Sequence, residues 1–546
     1  MEARCCHSQR EGHSSTWAQI KSKSYQIALQ NLDQIRANIL TYRYKIPSDL
    51  VSPERQRDLM DTFERAIAQV ILKHPVMHIG LVGENTNKPC WVRLDRMDLQ
   101  KHIQWLVVDG GATDFHEVFL STCYRQLDNK FADYLRTPGW RVKVLRKRGR
   151  DFMEVLLVLN HTNMDGGSAK IFHRDLLQNL HDDPQMPRND LLRDHILTLP
   201  ENSTATLSPP AEDLVQFPME TREVLKSLQE EVHTPAVGYL KTPTQAHWGP
   251  IKAASFKPQF RTITITHDVL AALLKACRHH NTTLTGLLHA FILVSLAPIL
   301  EPSGAAGFRC LTAMDLRRFL PSNPLSHPWS NPEDAMGNHV TIVDHVLSDG
   351  LVAQIRSKAS LDGANYCVSR SGDLMALLWS VARGIRREIE QGLETGLKND
   401  MIGDWRAQSS EEARKPRRTS WVITNLGSIG GSPIQAPVSS RPVCSSSSSL
   451  DSVAQERDSQ HTWSFTRAQF IMCANVVSSA FGIATASVKD GDFIITCTWQ
   501  DCVIDVHTGD AFVDNLESWL NFAARYRDGW PAPGRSPIDR PVFHVW

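Results

Sequence analysis

One short run holds residue types that can do proton chemistry at a fixed spacing: His161-Thr162-Asn163-Met164-Asp165-Gly166-Gly167. The histidine closes an apolar stretch, an aspartate follows four residues later, and two glycines precede a helical pattern. Imidazole titrates at about 6.5, so near neutrality it can take a proton from a hydroxyl, thiol or amine. At a buried strand end the ring is held rigidly, with one nitrogen turned toward a cavity. The glycine pair lets the turn be sharp. Asp165 has two possible tasks: to orient the imidazole, or to pair with a distant arginine and pin the turn. Two other readings of the same residues stay open. One is a core histidine with a helix-capping aspartate, and the other is the first two ligands of a metal site, for which no further ligand cluster stands nearby.

Other chemistries lack their signatures. No G-x-x-x-x-G-K-[ST], G-x-G-x-x-G, G-x-S-x-G or H-E-x-x-H occurs. This weakens nucleotide hydrolysis, dinucleotide redox, serine hydrolysis and zinc proteolysis as readings.

The elements that must position His161 follow from the patterning. Residues 152–160 are almost wholly apolar toward their end, as in a strand buried on both faces. Residues 140–145 pair with them across the basic turn 146–150, and a helix resumes from Ser168 with Ile171, Phe172 and Leu176. The order is strand, short polar turn, helix. Upstream, residues 37–46 read as a strand, and Ser52-Pro53-Glu54 starts a helix with a capping hydroxyl and an early proline. Leu59, Phe63, Ala66 and Val70 form its apolar stripe, and Lys73-His74-Pro75 stops it. Residues 76–82 and 90–94 read as paired strands.

A second half begins near Arg261 with a strand at 262–266 and a helix carrying Leu270, Leu273, Leu274 and Cys277. An apolar helix from Leu284, a strand at 308–314 and an amphipathic helix from Leu374 to Ile389 follow. Residues 481–488 and 493–499 form a hairpin around Lys489-Asp490-Gly491-Asp492. The last helix lies near 513–522. The expected division is a tail at 1–35, a first half at 36–200, a linker at 201–260 and a second half at 261–546. That second half is interrupted at 436–460 by a serine-rich insertion that includes Ser445 to Ser449. Mixed helices and strands of this kind make α/β layers.

Composition bounds the partners. The 546 residues hold 59 Lys+Arg and 59 Asp+Glu, so no net basic field draws nucleic acid. The first fifteen residues are polar and lead into no apolar run, and the 11 cysteines form no C-x-x-C pair. A cytoplasmic protein with reduced thiols is expected. Residues 284–300 are marginal for a span and carry His289 and Pro298, so a buried helix is expected there.

His161-Thr162-Asn163-Met164-Asp165-Gly166 resembles the H-x-x-x-D-G motif of acyltransferases with the chloramphenicol acetyltransferase-like fold. That superfamily includes plant BAHD enzymes, fungal alcohol acetyltransferases, trichothecene O-acetyltransferases and peptide-synthetase condensation domains. The context extends the resemblance. The helix ending in His74-Pro75, then Asp315-Leu316-Arg317 with Gly337-Asn338, then Ser420 through Gly427 appear in the family's order. The resemblance covers about residues 35 to 525.

The resemblance implies two similar α/β domains with mixed sheets around a central active-site tunnel. His161 would be the general base, acting on an acceptor hydroxyl as it attacks an acyl thioester, with no acyl-enzyme. Asp165 and Gly166 would shape the motif turn, with Arg317 as the partner of Asp165. The plant D-F-G-W-G motif is missing, and Asn425 stands in roughly its place as a candidate oxyanion donor. Asn160 precedes His161 where condensation domains usually carry a second histidine. Both departures favour a fungal-type O-acyl transfer. The expected activity is a coenzyme A-dependent O-acyltransferase acting on a hydroxyl of a small secondary metabolite, such as a trichothecene-like sesquiterpenoid. Acetyl-CoA would be a co-substrate, with no bound cofactor or metal and coenzyme A-binding residues unassigned. The implied partners are a small-molecule alcohol and acyl-CoA, with no nucleic acid, no membrane span and a monomeric chain. The alternatives are a condensation-type enzyme fed by a carrier protein and an inactive binding module of the same fold. The basic runs 146–150 and 415–418 could each meet a coenzyme A phosphate or be solvated tips.

Overall fold

In chain order the first half supplies β1 (Asn38–Lys45), α1 (Gln56–Lys73), β2 (Ile103–Val108), α2 (Phe115–Asp128), β3 (Trp140–Lys147), β4 (Phe152–Leu159) and α3 (Gly166–His181). The second half supplies β5 (Pro258–Ile265), α4 (His267–His279), α5 (Leu284–Ile299), β6 (Phe308–Asp315), β7 (Val340–Leu347), α6 (Asp349–Lys358) and α7 (Gly372–Glu394). It ends with β8 (Thr419–Ile429), β9 (Ser464–Ile471), β10 (Ser479–Val488), β11 (Phe493–Gln500) and α8 (Val506–Arg525). These come from a computed structural model that describes residues 18–19, 36–83, 90–109, 114–131, 133, 138–181, 191–200, 214–215, 256–300, 305–322, 331–358, 372–395, 419–430, 462–473 and 479–525. The serine-rich run 436–460, the basic run 415–418 and most of 1–35 and 201–260 lie outside the described residues.

The apolar run before the motif becomes β4, near the middle of a five-stranded sheet ordered β9-β1-β4-β3-β2. Both of its faces are covered. Met153, Val155, Leu157 and Leu159 share a core with Leu59, Phe63 and Val70 of α1 and with Ile171, Phe172 and Leu176 of α3. Leu156 and Val158 share another with Phe115, Phe119, Cys123 and Leu127 of α2. Each such side chain stabilises the fold by about 1.5–3 kcal/mol when fully buried, which holds the end of β4 in place. Only β2 and β3 run parallel in this sheet, so it is mixed.

The second sheet has six strands ordered β5-β11-β10-β8-β6-β7, with β8 parallel to both β10 and β6 and the other pairs antiparallel. The hairpin read around Lys489 to Asp492 is the β10–β11 pair. The apolar helix α5 is buried on all sides, as its unbroken hydrophobicity requires. No single helix among the described residues is long and apolar enough to cross a membrane; α4 and α5 reach that length only together, across a 97° bend.

Three details differ from the sequence reading. Ser52-Pro53 opens a 3₁₀ turn (Pro53–Arg55), and α1 starts at Gln56. The final helix starts earlier, at Val506. The larger difference concerns the halves, because β9 crosses over. It lies in the segment 261–546 yet pairs with β1 along Ser464–Ile471 as the edge of the first sheet. Its Gln469 Nε2 also donates to Thr262 Oγ1 (2.9 Å) on β5 and Thr496 Oγ1 (3.3 Å) on β11. The sequence reading assigned no strand here, and a division by chain order places this one in the wrong sheet.

Candidate active site

The motif turn is built by its own polar side chains. Asn160 donates its backbone N–H to Gly139 O (2.8 Å), and its Oδ1 accepts from Thr162 N–H (2.9 Å). Its carbonyl accepts from Asn163 and Met164. A Cβ at Gly139 would fall 2.9 Å from Asn163 Oδ1, so a glycine is needed where β3 begins. His161 is thereby left on the turn, half-buried, directly after β4.

Asp165 is fully buried, and its carboxylate is saturated. Oδ1 accepts from Ser168 N–H (2.7 Å) and Arg317 Nη2 (2.9 Å), and Oδ2 from Arg317 Nη1 (3.0 Å) and His339 N–H (2.8 Å). The bond to Ser168 caps α3, whose first turn it satisfies. Burial alone would raise the pKa of this carboxyl. The charge and hydrogen bonds of Arg317 outweigh burial and hold it well below the usual carboxylate range. Of the two tasks open to Asp165, the geometry shows the pairing with Arg317; none of its hydrogen bonds goes to the imidazole.

Arg317 reaches the turn from the 3₁₀ segment after β6. Its Nε donates to Ala335 O (2.8 Å), and its backbone N–H and Nη1 donate to Asp315 Oδ1 (2.9 and 3.0 Å). Ser168 Oγ lies 2.6 Å from Gly337 O and accepts from Gly337 N–H (2.9 Å). Asn338 Nδ2 donates to the carbonyl of His161 (2.7 Å). Thus Asp315-Leu316-Arg317 and Gly337-Asn338, far apart from the histidine in the chain, grip the two ends of the same turn. The approach is close: a Cβ on Gly167 would collide with Arg317 Nη1, and one on Gly166 would fall 2.7 Å from Leu426 Cδ2.

Asn425 lies on β8, on the other side of Leu426. Its Nδ2 donates to Thr285 Oγ1 on α5 (3.2 Å), and its Oδ1 accepts from Gly427 N–H (2.9 Å). The structure therefore unites Asp165, Gly166 and Arg317 directly, while Asn425 is linked to them through its neighbour. Two of the four cations of the basic turn are engaged within the fold. Arg146 is buried and donates to Gln56 Oε1 (2.5 Å) and Val51 O (2.6 Å), and Arg148 pairs with Asp109 (2.7 Å). Among the described residues no group of three or more His, Cys, Asp and Glu is arranged to hold a metal ion, and Cys123, Cys277, Cys310 and Cys497 are free thiols.

Sequence reasoning missed Ser168, His339 and Lys170. Ser168 had a usable signal, since it stands three residues after an aspartate at a helix start, the spacing of a cap. His339 acts through its backbone N–H, which no side-chain pattern reveals. His74, read only as a helix stop, bonds Asp175 Oδ2 (2.7 Å) on α3 and so ties the end of α1 to the motif helix.

With the geometry in hand, the chain can be set beside known proteins. The alcohol acetyltransferase family model matches residues 117–327. Probable alcohol acetyltransferase FCK4 of Fusarium pseudograminearum is 26% identical over 487 residues, covering 83% of this chain and 84% of that protein. Probable alcohol acetyltransferase crmB of Aspergillus fumigatus is 22% identical over 479 residues, covering 85% and 91%. Among solved structures, the trichothecene 15-O-acetyltransferase TRI3 of Fusarium sporotrichioides superposes with a TM-score of 0.67 at 13% identity, covering 94% of this chain and 96% of that one. The condensation domain of the monacolin K polyketide synthase MokA gives 0.56 at 12% identity, covering 93% and 98%. The two-domain fold is shared with both. These likenesses identify the chain as an acyltransferase similar to the fungal alcohol acetyltransferases.

Proposed function

We propose that the protein transfers an acyl group, acetyl first among candidates, from coenzyme A to a hydroxyl of a small secondary metabolite, with His161 as general base. The observation that carries this reading is the saturated carboxylate of Asp165, which accepts from Arg317, Ser168 and His339 and so serves the fold. Proton transfer at the turn then falls to the imidazole. His161 takes the hydroxyl proton as the acceptor oxygen attacks the thioester carbonyl. The tetrahedral oxyanion collapses, the C–S bond breaks, and the imidazolium returns the proton to the leaving thiolate. Asn425 has one Nδ2 hydrogen left after its bond to Thr285 and is the proposed oxyanion donor. The trichothecene-like sesquiterpenoid class is the first acceptor to try, because TRI3 shares the fold. The protein is proposed to work in the cytoplasm as a monomer.

His161→Ala should lower kcat by about 10²–10⁴-fold with the fold retained, measured with acetyl-CoA and a panel of alcohols by mass spectrometry. Undiminished transfer in that variant would overturn the base assignment. Transfer from a carrier-protein thioester but not from acetyl-CoA would replace the donor. The side chain of Asn160, where a second histidine would mark a condensation domain, is used to hold Thr162, which leaves O-acyl transfer as the better reading.

A further inference from the structure

Lys170 is unassigned by the mechanism, yet it spans the junction between the two sheets. It lies on α3, one turn beyond Gly166, and its Nζ donates to the carbonyl of Leu426 on β8 (2.7 Å). That carbonyl is available because β8 bulges against β10. Asn425 pairs with Thr485 and Ser428 with Ser487, so Leu426 and Gly427 together face only Ala486. Gly427 sits in the left-handed region at φ +69°, which favours glycine.

The peptide group between Leu426 and Gly427 is planar, with its C=O and N–H directed oppositely. The C=O is held by Lys170, and the N–H of the same group donates to Asn425 Oδ1 (2.9 Å). That bond decides which end of the Asn425 carboxamide is oxygen and sends Nδ2 toward Thr285 Oγ1 and the space beside it. A cation on the carbonyl also polarises the amide and strengthens its N–H as a donor. We infer that Lys170 is a positioning residue for the reaction: through the 426–427 peptide it sets the orientation of the Asn425 carboxamide. This rests on the proposed role of Asn425 as oxyanion donor.

A purely structural lysine would also hold α3 to β8, so the test must separate the two. Lys170→Met keeps the aliphatic stem and removes the donor, whereas Lys170→Arg restores a donor. In steady-state assays with acetyl-CoA and an accepted alcohol, Lys170→Met should lower kcat by about tenfold, with both KM values within about threefold of the parent. The thermal midpoint should stay close to the parent's, and Lys170→Arg should recover most of the rate. Asn425→Ala should be slow alone, and adding Lys170→Met to it should cost no further rate, because both act on one carboxamide. A parental kcat in Lys170→Met with a slow Asn425→Ala overturns the inference and leaves the Asn425 reading standing. So do multiplicative losses in the double variant, or a loss that follows the thermal midpoint and is not rescued by arginine. Parental rates in Asn425→Ala overturn the Asn425 reading itself, and the inference with it.

Discussion

Two of the buried polar networks among the described residues are built on opposite principles. One is the ionic clamp of Asp165, Arg317, Ser168, Gly337 and His339, which ties the motif turn to the segment after β6. The other lies within the second sheet and its helices and is a linear chain that ends on a carboxylate. Trp421 Nε1 donates to His289 Nδ1 (2.9 Å), so His289 carries its proton on Nε2 and donates to Thr312 Oγ1 (2.9 Å). Thr312 Oγ1 in turn lies 2.9 Å from His345 Nε2, and the other nitrogen of that ring meets Glu388. An indole can only donate, so the direction of the first two links follows from Trp421. The clamp gathers many donors on one charge and fixes a point in space. The chain links five residues on α5, β6, β7, α7 and β8 and fixes a register between layers. The turn that carries His161 needs the first kind of support, because it joins segments that share no ladder.

The largest effect should come from breaking the clamp. Arg317→Met leaves a buried charge without its partner and should cost about 3–5 kcal/mol in urea unfolding, often seen as insoluble protein. A stability close to the parent's would mean that the carboxylate has another counter-charge. Next, His289→Leu deprives Trp421 N–H of its acceptor and Thr312 Oγ1 of its donor and should cost about 2–4 kcal/mol by the same measurement. Its kcat should fall less than that of Arg317→Met, since the chain does not touch the turn. A milder break is Gly167→Ala, whose added methyl meets Arg317 Nη1 and should cost about 1–3 kcal/mol.

The smallest effect separates the clamp from the buried histidines by pH. Burial pushes His78 and His102 down to about 4 and His173 to about 3, and burial also holds His289 well below the usual histidine range. These groups ionise in the unfolded chain at about 6.5, so unfolding takes up protons below that pH. Their stability contribution is complete above about pH 6.5 and is lost as the pH falls toward 4. The Asp165 carboxylate has the same sign but a lower window: its contribution is complete above about 3.9, the unfolded value, and disappears only in stronger acid. Calorimetry between pH 7 and 4.5 should therefore show a falling midpoint, with the drop reduced in a His173→Gln variant and unchanged in Ser168→Ala. An equal pH slope in all three proteins would contradict this assignment.

Much of this was legible before any coordinates. The unbroken apolar run 152–160 could only be buried on both sides, which placed His161 at a rigid strand end. The four-residue step from His161 to Asp165, followed by glycines, announced a tight turn into a helix. Arg317 was legible only through family resemblance, because nothing local links it to a residue 152 positions earlier. The basic turn was misleading: Arg146 reads as surface charge, yet its stem and guanidinium are covered and bonded to Gln56 and Val51.

What the sequence determined by itself is whatever depends on neighbours in the chain. That covers the strand-turn-helix around His161, the cap that Asp165 provides, the hairpin at Lys489 to Asp492 and the all-round burial of α5. Tertiary structure alone decided which distant segments meet: that β9 joins the first sheet, that His339 serves Asp165 through its backbone, and that Lys170 reaches Leu426. The physical reason is that propensity and periodicity act over a turn or two of chain. Pairing across sheets is instead chosen by the summed burial and hydrogen-bond satisfaction of the whole fold.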